Sequence, residues 1–334
     1  MNESLEDLDR DRDGWSVRLA QGFQRRTATL AAAARRVRDG TDPDAIHDLR
    51  VATRRLGAAL RVWSNLLEPR AARVARRRLR DLRRRLGEAR EVEVNVALLE
   101  VRLSGSGPVA RTALAPLLER MRRRLARRRR RARARVRPRL VRRLVRRIED
   151  ATRDLGATLR REPSALASAL AIERKAEARS RSALWDALEL ADDLSLHEAR
   201  IAVKNWRYKI ESLGDALPSE RAGGIAGLRE VQDVLGEIHD RALLRDLLAR
   251  AARVADPAHT GGLERLIDEL DAERREGIEE FRRIGAGLAA IPHDEPQAEP
   301  GRAAGIRTVE PGDTGRDTRW EQMARWLSTT KRRA

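Results

Sequence analysis

The sequence predicts an all-α protein on three observations. Ala, Leu, Arg and Glu, all good helix formers, fill most windows of the chain. Strand formers are thin: there are one Tyr and two Phe in 334 residues, and no window sustains the period-two alternation of a half-buried strand. Two motifs also recur at nearly one interval. His47-Asp48-Leu49-Arg50-Val51-Ala52-Thr53-Arg54 returns 150 residues later as His197-Glu198-Ala199-Arg200-Ile201-Ala202-Val203-Lys204. Leu86-Gly87-Glu88-Ala89-Arg90-Glu91 returns 149 residues later as Leu235-Gly236-Glu237-Ile238-His239-Asp240. Two motifs sharing one period argue for duplication of a unit of about four helices.

In chain order, residues 1–14 are acidic and polar and read as disordered. Trp15 to Asp39 has helical periodicity, with Val17, Leu19, Phe23, Leu30 and Val37 among its apolar positions. Gly40 to Pro43 stops it, and Asp42 can cap the next helix with Pro43 at its first position. That helix carries His47 and runs to about Leu67. Pro69 starts another, which continues to about Leu103 before the loop Ser104 to Pro108. Residues 111–149 form an Arg-dense helical stretch interrupted by Pro138, with Arg127 to Arg131 consecutive. The second half restarts near Ser164 with a helix to about residue 193. Ser195 and Glu198 read as a capping box ahead of the His197 helix, which runs to about Ala216. A last helix spans roughly Gly262 to Ala290. Residues 292–319 are rich in Pro, Gly, Asp and Glu and read as a flexible linker. Trp320 to Ala334 reads as a short amphipathic basic tail.

The two His segments have the same cross-section. At about 100° per residue from each His, Arg50, Arg54 and Arg61 fall at roughly 300°, 340° and 320°. Arg200, Lys204 and Arg207 fall at roughly 300°, 340° and 280°. Opposite them, Leu49, Ala52, Leu56, Leu60 and Trp63 match Ala199, Ala202, Trp206, Ile210 and Leu213 position for position. Each helix thus has one face for a core and one for an anion. A solvated surface helix would also be amphipathic, but it has no reason to keep His, Arg and a base at the same offsets twice. Trp63, Trp185 and Trp206 read as core residues.

Net charge +19 and a sequence pI near 11.4 call for an anionic partner: nucleic acid, membrane surface or a phosphate polymer. Lys occurs only at 175, 204, 209 and 331, so nearly all of the positive charge is Arg. A G- and C-rich coding bias could inflate Arg. Its planar fork is nonetheless the better phosphate ligand. Zero Cys excludes disulfides, thiolate metal sites and cysteine nucleophiles. No leader-like or membrane-length apolar run occurs, which points to a soluble, cytoplasmic protein with no membrane partner.

The His and Leu-Gly-Glu motifs resemble those of the CHAD family, the conserved-histidine α-helical domain. The likeness extends from about residue 15 to 291, with repeat halves at about 15–150 and 164–291. It implies two pseudo-symmetric four-helix units around a basic central channel. It also implies binding of inorganic polyphosphate, and association with polyphosphate granules. The binding set it implies is His47, Arg50, Arg54, Arg55 and Arg61 with His197, Arg200, Lys204, Arg207 and Tyr208. No metal, cofactor or catalytic residue is expected. The copies differ: Gly57 stands opposite Arg207, Asn205 opposite Arg55, Glu211 opposite Arg61 and His239 opposite Arg90. The basic surface should therefore be uneven between halves.

Two other functions compete. Charge alone permits weak non-specific nucleic-acid binding, and the Arg127 to Arg131 run invites it. No aromatic interleaves with that run as a stacking platform, and no DNA- or RNA-binding motif is present. Catalysis would need the histidines as phosphoacceptors or acid–base groups. Glu91-x-Glu93-x-Asn95 superficially matches the Glu-x-Glu-x-Lys strand of triphosphate-tunnel hydrolases, but it lacks the Lys and lies in helical context. Neither His259 nor His293, both in expected loops, joins these sites.

Overall fold

The computed structural model describes residues 12–162, 164–214 and 223–289. Within them the protein is helical, without a strand. The helices are α1 (Arg12–Asp39), α2 (Ala45–Val62), α3 (Pro69–Gly105), α4 (Pro108–Arg135) and α5 (Pro138–Thr152). They continue with α6 (Leu155–Arg161), α7 (Ala165–Leu190), α8 (Asp193–Leu213), α9 (Gly223–Ala252) and α10 (Pro257–Ala289). The expected linker and tail, most of the acidic N-terminus, and His293 lie outside the described residues. Helix α1 nevertheless begins at Arg12, so residues 12–14 are helical where disorder was expected.

Prolines set several of the starts. Pro69, Pro108 and Pro138 each stand at the head of a helix, where the missing N–H costs no intrahelical bond. Two caps differ from expectation. The Asp42 carboxylate does accept the Asp44 N–H, at 2.8 Å, but α-helical bonding begins at Ala45, leaving Pro43 and Asp44 in a turn. The His197 helix starts before the expected Ser195 box. Asp192 caps it, accepting the Ser195 N–H at 2.7 Å, while the Ser195 hydroxyl donates to the Asp192 carbonyl at 3.1 Å. His259 lies in the first turn of α10, not in a loop.

Three apolar cores hold the helices. One joins Leu19, Phe23 and Leu30 of α1 to Leu49, Leu56 and Leu60 of α2, to α5 and α6, and to Leu166 and Leu170 of α7. A second lies among α7 to α10, around Leu184, Val203, Leu235 and Phe281. The third is built across the halves: Val92, Val96 and Leu99 of α3 and Leu114 and Leu118 of α4 meet Leu244 and Leu248 of α9 and Leu266 and Leu270 of α10. The described residues accordingly form one compact unit. The apolar stripes predicted for α2 and α8 are buried, Ile210 only partly. Val17 and Trp185 are not: they are 54% and 58% exposed. Trp185 follows Leu184, which is fully buried. A rotation of about 100° separates neighbours on a helix, so the two cannot share the core face.

Candidate functional site: a cationic cluster between the two histidine helices

Helices α2 and α8 pack directly on each other, with α3 beside α2 and α9 beside α8. At the C-terminal end of the α2–α8 pair, the Trp63 indole N–H donates to the Ser212 carbonyl at 3.0 Å, buried from solvent. This packing buries the apolar stripes and turns part of each basic stripe toward the other helix.

Lys204 of α8 stands where the stripes converge. Its pKa falls to about 7, first because burial disfavours the ammonium, then through the charges of Arg54, Arg200, Arg207 and Arg50. Residues from both motifs therefore act on one amine. Arg200 is likewise held below its ordinary value, by burial and then by Arg54, against the pull of Asp240. Its buried Nε has no hydrogen-bond partner among the described residues. The Arg50 guanidinium donates to the Arg83 carbonyl of α3 at 2.8 Å, which fixes its stem against that helix.

The second motif completes the cluster in both halves. A Cβ on Gly87 would lie 3.6 Å from the Arg50 Nη1, and one on Gly236 would lie 4.0 Å from the Arg200 Nε. Each Leu-Gly-Glu segment thus presents its glycine to the arginine of its own His helix. The next turn faces the histidine. His47 is kept below its usual pKa by desolvation and by Arg90 and Lys204, although its side chain stays open to solvent. The ring of His197 lies 5.2 Å from that of His239, which stands at the Arg90 position of the second copy. Asp240 is an acid drawn into this group. Burial raises its pKa, opposed by Arg200, Arg90 and Lys204.

The expected set therefore divides. His47, Arg50, Arg54, His197, Arg200 and Lys204 are gathered by the α2–α8 contact. Arg55 and Arg207 are tied together by Glu211, which accepts from Arg55 at 3.0 Å and from Arg207 at 2.6 Å. Arg207 also bonds Gln232 at 3.0 Å and lies over the Tyr208 ring, and both Arg207 and Tyr208 are buried. These residues build the wall of the site. Arg61 is exposed by area, yet crowding around its guanidinium and the charges of Arg76 and Arg80 lower its pKa; it belongs to a separate basic group. Arg90, His239 and Asp240 were absent from the expected set. Their signal was the second repeated motif, in which they occupy the two positions after Leu-Gly-Glu-x.

Among the described residues, no cluster of three His, Asp or Glu side chains could hold a metal ion, and no helix is long and apolar enough to cross a membrane. Five cations, Arg50, Arg54, Arg90, Arg200 and Lys204, gather around Asp240, and Arg90 is also paired with Glu93. Such a site is chemically prepared for a multivalent anion that hydrogen-bonds several donors at once.

The CHAD domain family model matches residues 21–249. The protein resembles the crystal structure of the CHAD domain from the plant Ricinus communis, with a TM-score of 0.56 and 22% identity over 84% of this chain and 93% of that one. It also resembles PptA from Streptomyces chartreusis, with a TM-score of 0.52 and 21% identity over 82% of this chain and 98% of that one. At these identities the structural likeness concerns the fold alone. No curated protein matches the sequence. The family match covers most of the chain and includes both histidine motifs, and the chain belongs to the CHAD domain family.

Proposed function

We propose that this protein binds inorganic polyphosphate in the cationic cluster between α2 and α8, without turning it over. The observation that carries the proposal is the setting of Lys204, surrounded by arginines from both copies of the motif. Free protein holds these like charges together at a cost. A chain of phosphates removes that cost by placing negative charge on successive oxygens within reach of several donors. His47, with its lowered pKa, would add an N–H donor and gain charge beside the anion. Membership of the CHAD family supports the ligand class. A basic channel through the helices and accumulation on polyphosphate granules are part of the same reading.

The test is a titration with long-chain polyphosphate, triphosphate and double-stranded DNA at two salt concentrations. Wild type is compared with the variant Arg50→Ala/Arg54→Ala/Arg200→Ala/Lys204→Ala. Long polyphosphate should bind best at the higher salt, and the variant should lose it while keeping its helical circular dichroism. Equal binding of DNA, untouched by the four substitutions, would reject the cluster. It would favour the second reading, non-specific polyanion binding through the exposed Arg127, Arg130 and Arg131 of α4.

A further inference from the structure

The Arg-dense helix α4 plays no part in the cluster, yet part of it faces a cavity that the cluster touches. Helices α3 and α4 form a hairpin, and an open cleft of about 710 Å³ lies along it, reaching the turn before α2. Its floor is apolar, with Val96 and Leu125. Its rim carries Arg90, Arg122, Arg129, Arg130 and Arg133 against Asp44, Glu93 and Glu100. That leaves two more cations than acids.

The acids have defined work. Glu93 is buried and accepts from Arg129 at 2.8 Å and from Arg90 at 3.3 Å, so it locks two arginine heads in place across the hairpin. Arg133 is anchored on the Gly40 carbonyl, where the left-handed glycine (φ 71°) leaves space for the guanidinium. Glu100 pairs with Arg122 at 2.9 Å. Arg130 is exposed and has no hydrogen bond or ion pair among the described residues. The cleft thus combines pre-placed donors with one uncommitted cation.

Arg90 belongs to both places. It lines the cleft, and its charge acts on His47 and Asp240 in the central cluster. We infer that the α3–α4 cleft is a second phosphate subsite, taking the part of a polyphosphate chain that runs past Arg90 from the central cluster. The inference rests on the polyphosphate reading and extends it. With an excess of only two charges, the cleft holds a chain already seated at the centre better than it captures a free short anion. Its contribution is therefore selectivity for length.

The test uses the full chain and three exposed-site variants. Arg130→Glu reverses the uncommitted cation. Glu100→Gln leaves Arg122 with Glu119 as its remaining acid partner and raises the charge of the cleft. Arg127→Glu makes the same charge change as the first variant on α4 but outside the cleft lining. Arg130→Glu should weaken long-chain polyphosphate at least about fivefold and lower the salt slope by about one, as expected for a lost phosphate contact. Triphosphate affinity should not move. Glu100→Gln should tighten long chains only, and Arg127→Glu should match wild type. An equal loss from Arg127→Glu would reduce the effect to overall charge and overturn the subsite. So would Arg130→Glu affinities unchanged for both ligands, or changed equally. If wild type binds long chains through Arg54 and Lys204 but ignores Arg130, only the subsite fails. If wild type binds neither ligand, the polyphosphate reading fails and takes the subsite with it.

Discussion

Lys204 gives the cluster a pH response that arginines cannot supply. With a pKa near 7 it is about half charged at neutral pH, whereas an unfolded lysine holds its proton to beyond pH 10. The sign follows from proton counting. Between pH 7 and the ordinary lysine value the unfolded chain binds the extra proton, so stability of the free protein rises with pH across that window. Binding of a polyanion runs the other way, because it needs the ammonium and must take up a proton above pH 7. Affinity should therefore fall from pH 7 to pH 9, measured at constant ionic strength. Lys204→Arg, which stays charged, should flatten that limb. His47 is held below its ordinary value by burial, Arg90 and Lys204, and Asp240 is raised by burial against three cations, so the Lys204→Arg comparison is what isolates the amine. Lys204→Met should raise the melting temperature of the free protein at pH 6 and weaken binding, a stability gain at the expense of function. An unchanged pH profile in Lys204→Arg would show that the amine does not meet the ligand.

At the scale of the helix, the glycines of the Leu-Gly-Glu segments set how closely α3 and α9 approach the motif arginines. Gly87 sits mid-helix, where glycine is normally a loss of about 0.5–1 kcal/mol against alanine. A methyl there would make an ordinary contact with Arg50, at 3.6 Å. Gly87→Ala should thus stabilise the protein by up to about 1 kcal/mol in chemical denaturation with binding kept. Gly87→Leu should keep the helix but displace the Arg50 head and weaken polyphosphate binding. If the leucine variant binds normally, the close approach of α3 is packing and nothing more. This pairing of motifs was legible in part. Periodicity identified both stripes, and the repeat singled out Leu-Gly-Glu, but motifs that start 39 residues apart carry no statement of contact until α2 and α3 fold together. Caps were less legible. Asp192 and Ser195 are both good N-terminal residues, and the left-handed Ala191 (φ 50°) that ends α7 early decides between them. The short α6 was missed because seven residues show too little periodicity. In the sequence, Glu211 places an acid at the Arg61 offset of the basic stripe. Its role as a clasp for Arg55 and Arg207 depends on α2 and α8 lying side by side.

For the whole molecule, the excess of 19 positive charges and the shared core act together. The core among α3, α4, α9 and α10 ties the arginine-rich hairpin to the second half, so the cluster and the cleft keep their relation as one body. That long-range join could not be read from Leu114, Leu117 and Leu118, which as sequence only begin an Arg-dense stretch. Rigid placement means that repulsion among the cations is not relieved by local motion, and it should appear in the stability of the free protein. Added sodium chloride screens repulsion over about 8–10 Å near physiological ionic strength, so the melting temperature without ligand should rise with salt. A bound anion stabilises by mass action, in proportion to the logarithm of its concentration over its dissociation constant. Salt weakens that binding through counterion release. With saturating long-chain polyphosphate, the melting temperature should therefore start higher and fall as salt is added, approaching the free curve from above. Opposite slopes in the two scans would tie the excess charge to the ligand, whereas parallel rising curves would mean that polyphosphate does no more than screen. The variant lacking Arg50, Arg54, Arg200 and Lys204 separates the contributions. It should melt higher than wild type at low salt, since four crowded cations are gone, and polyphosphate should move it little.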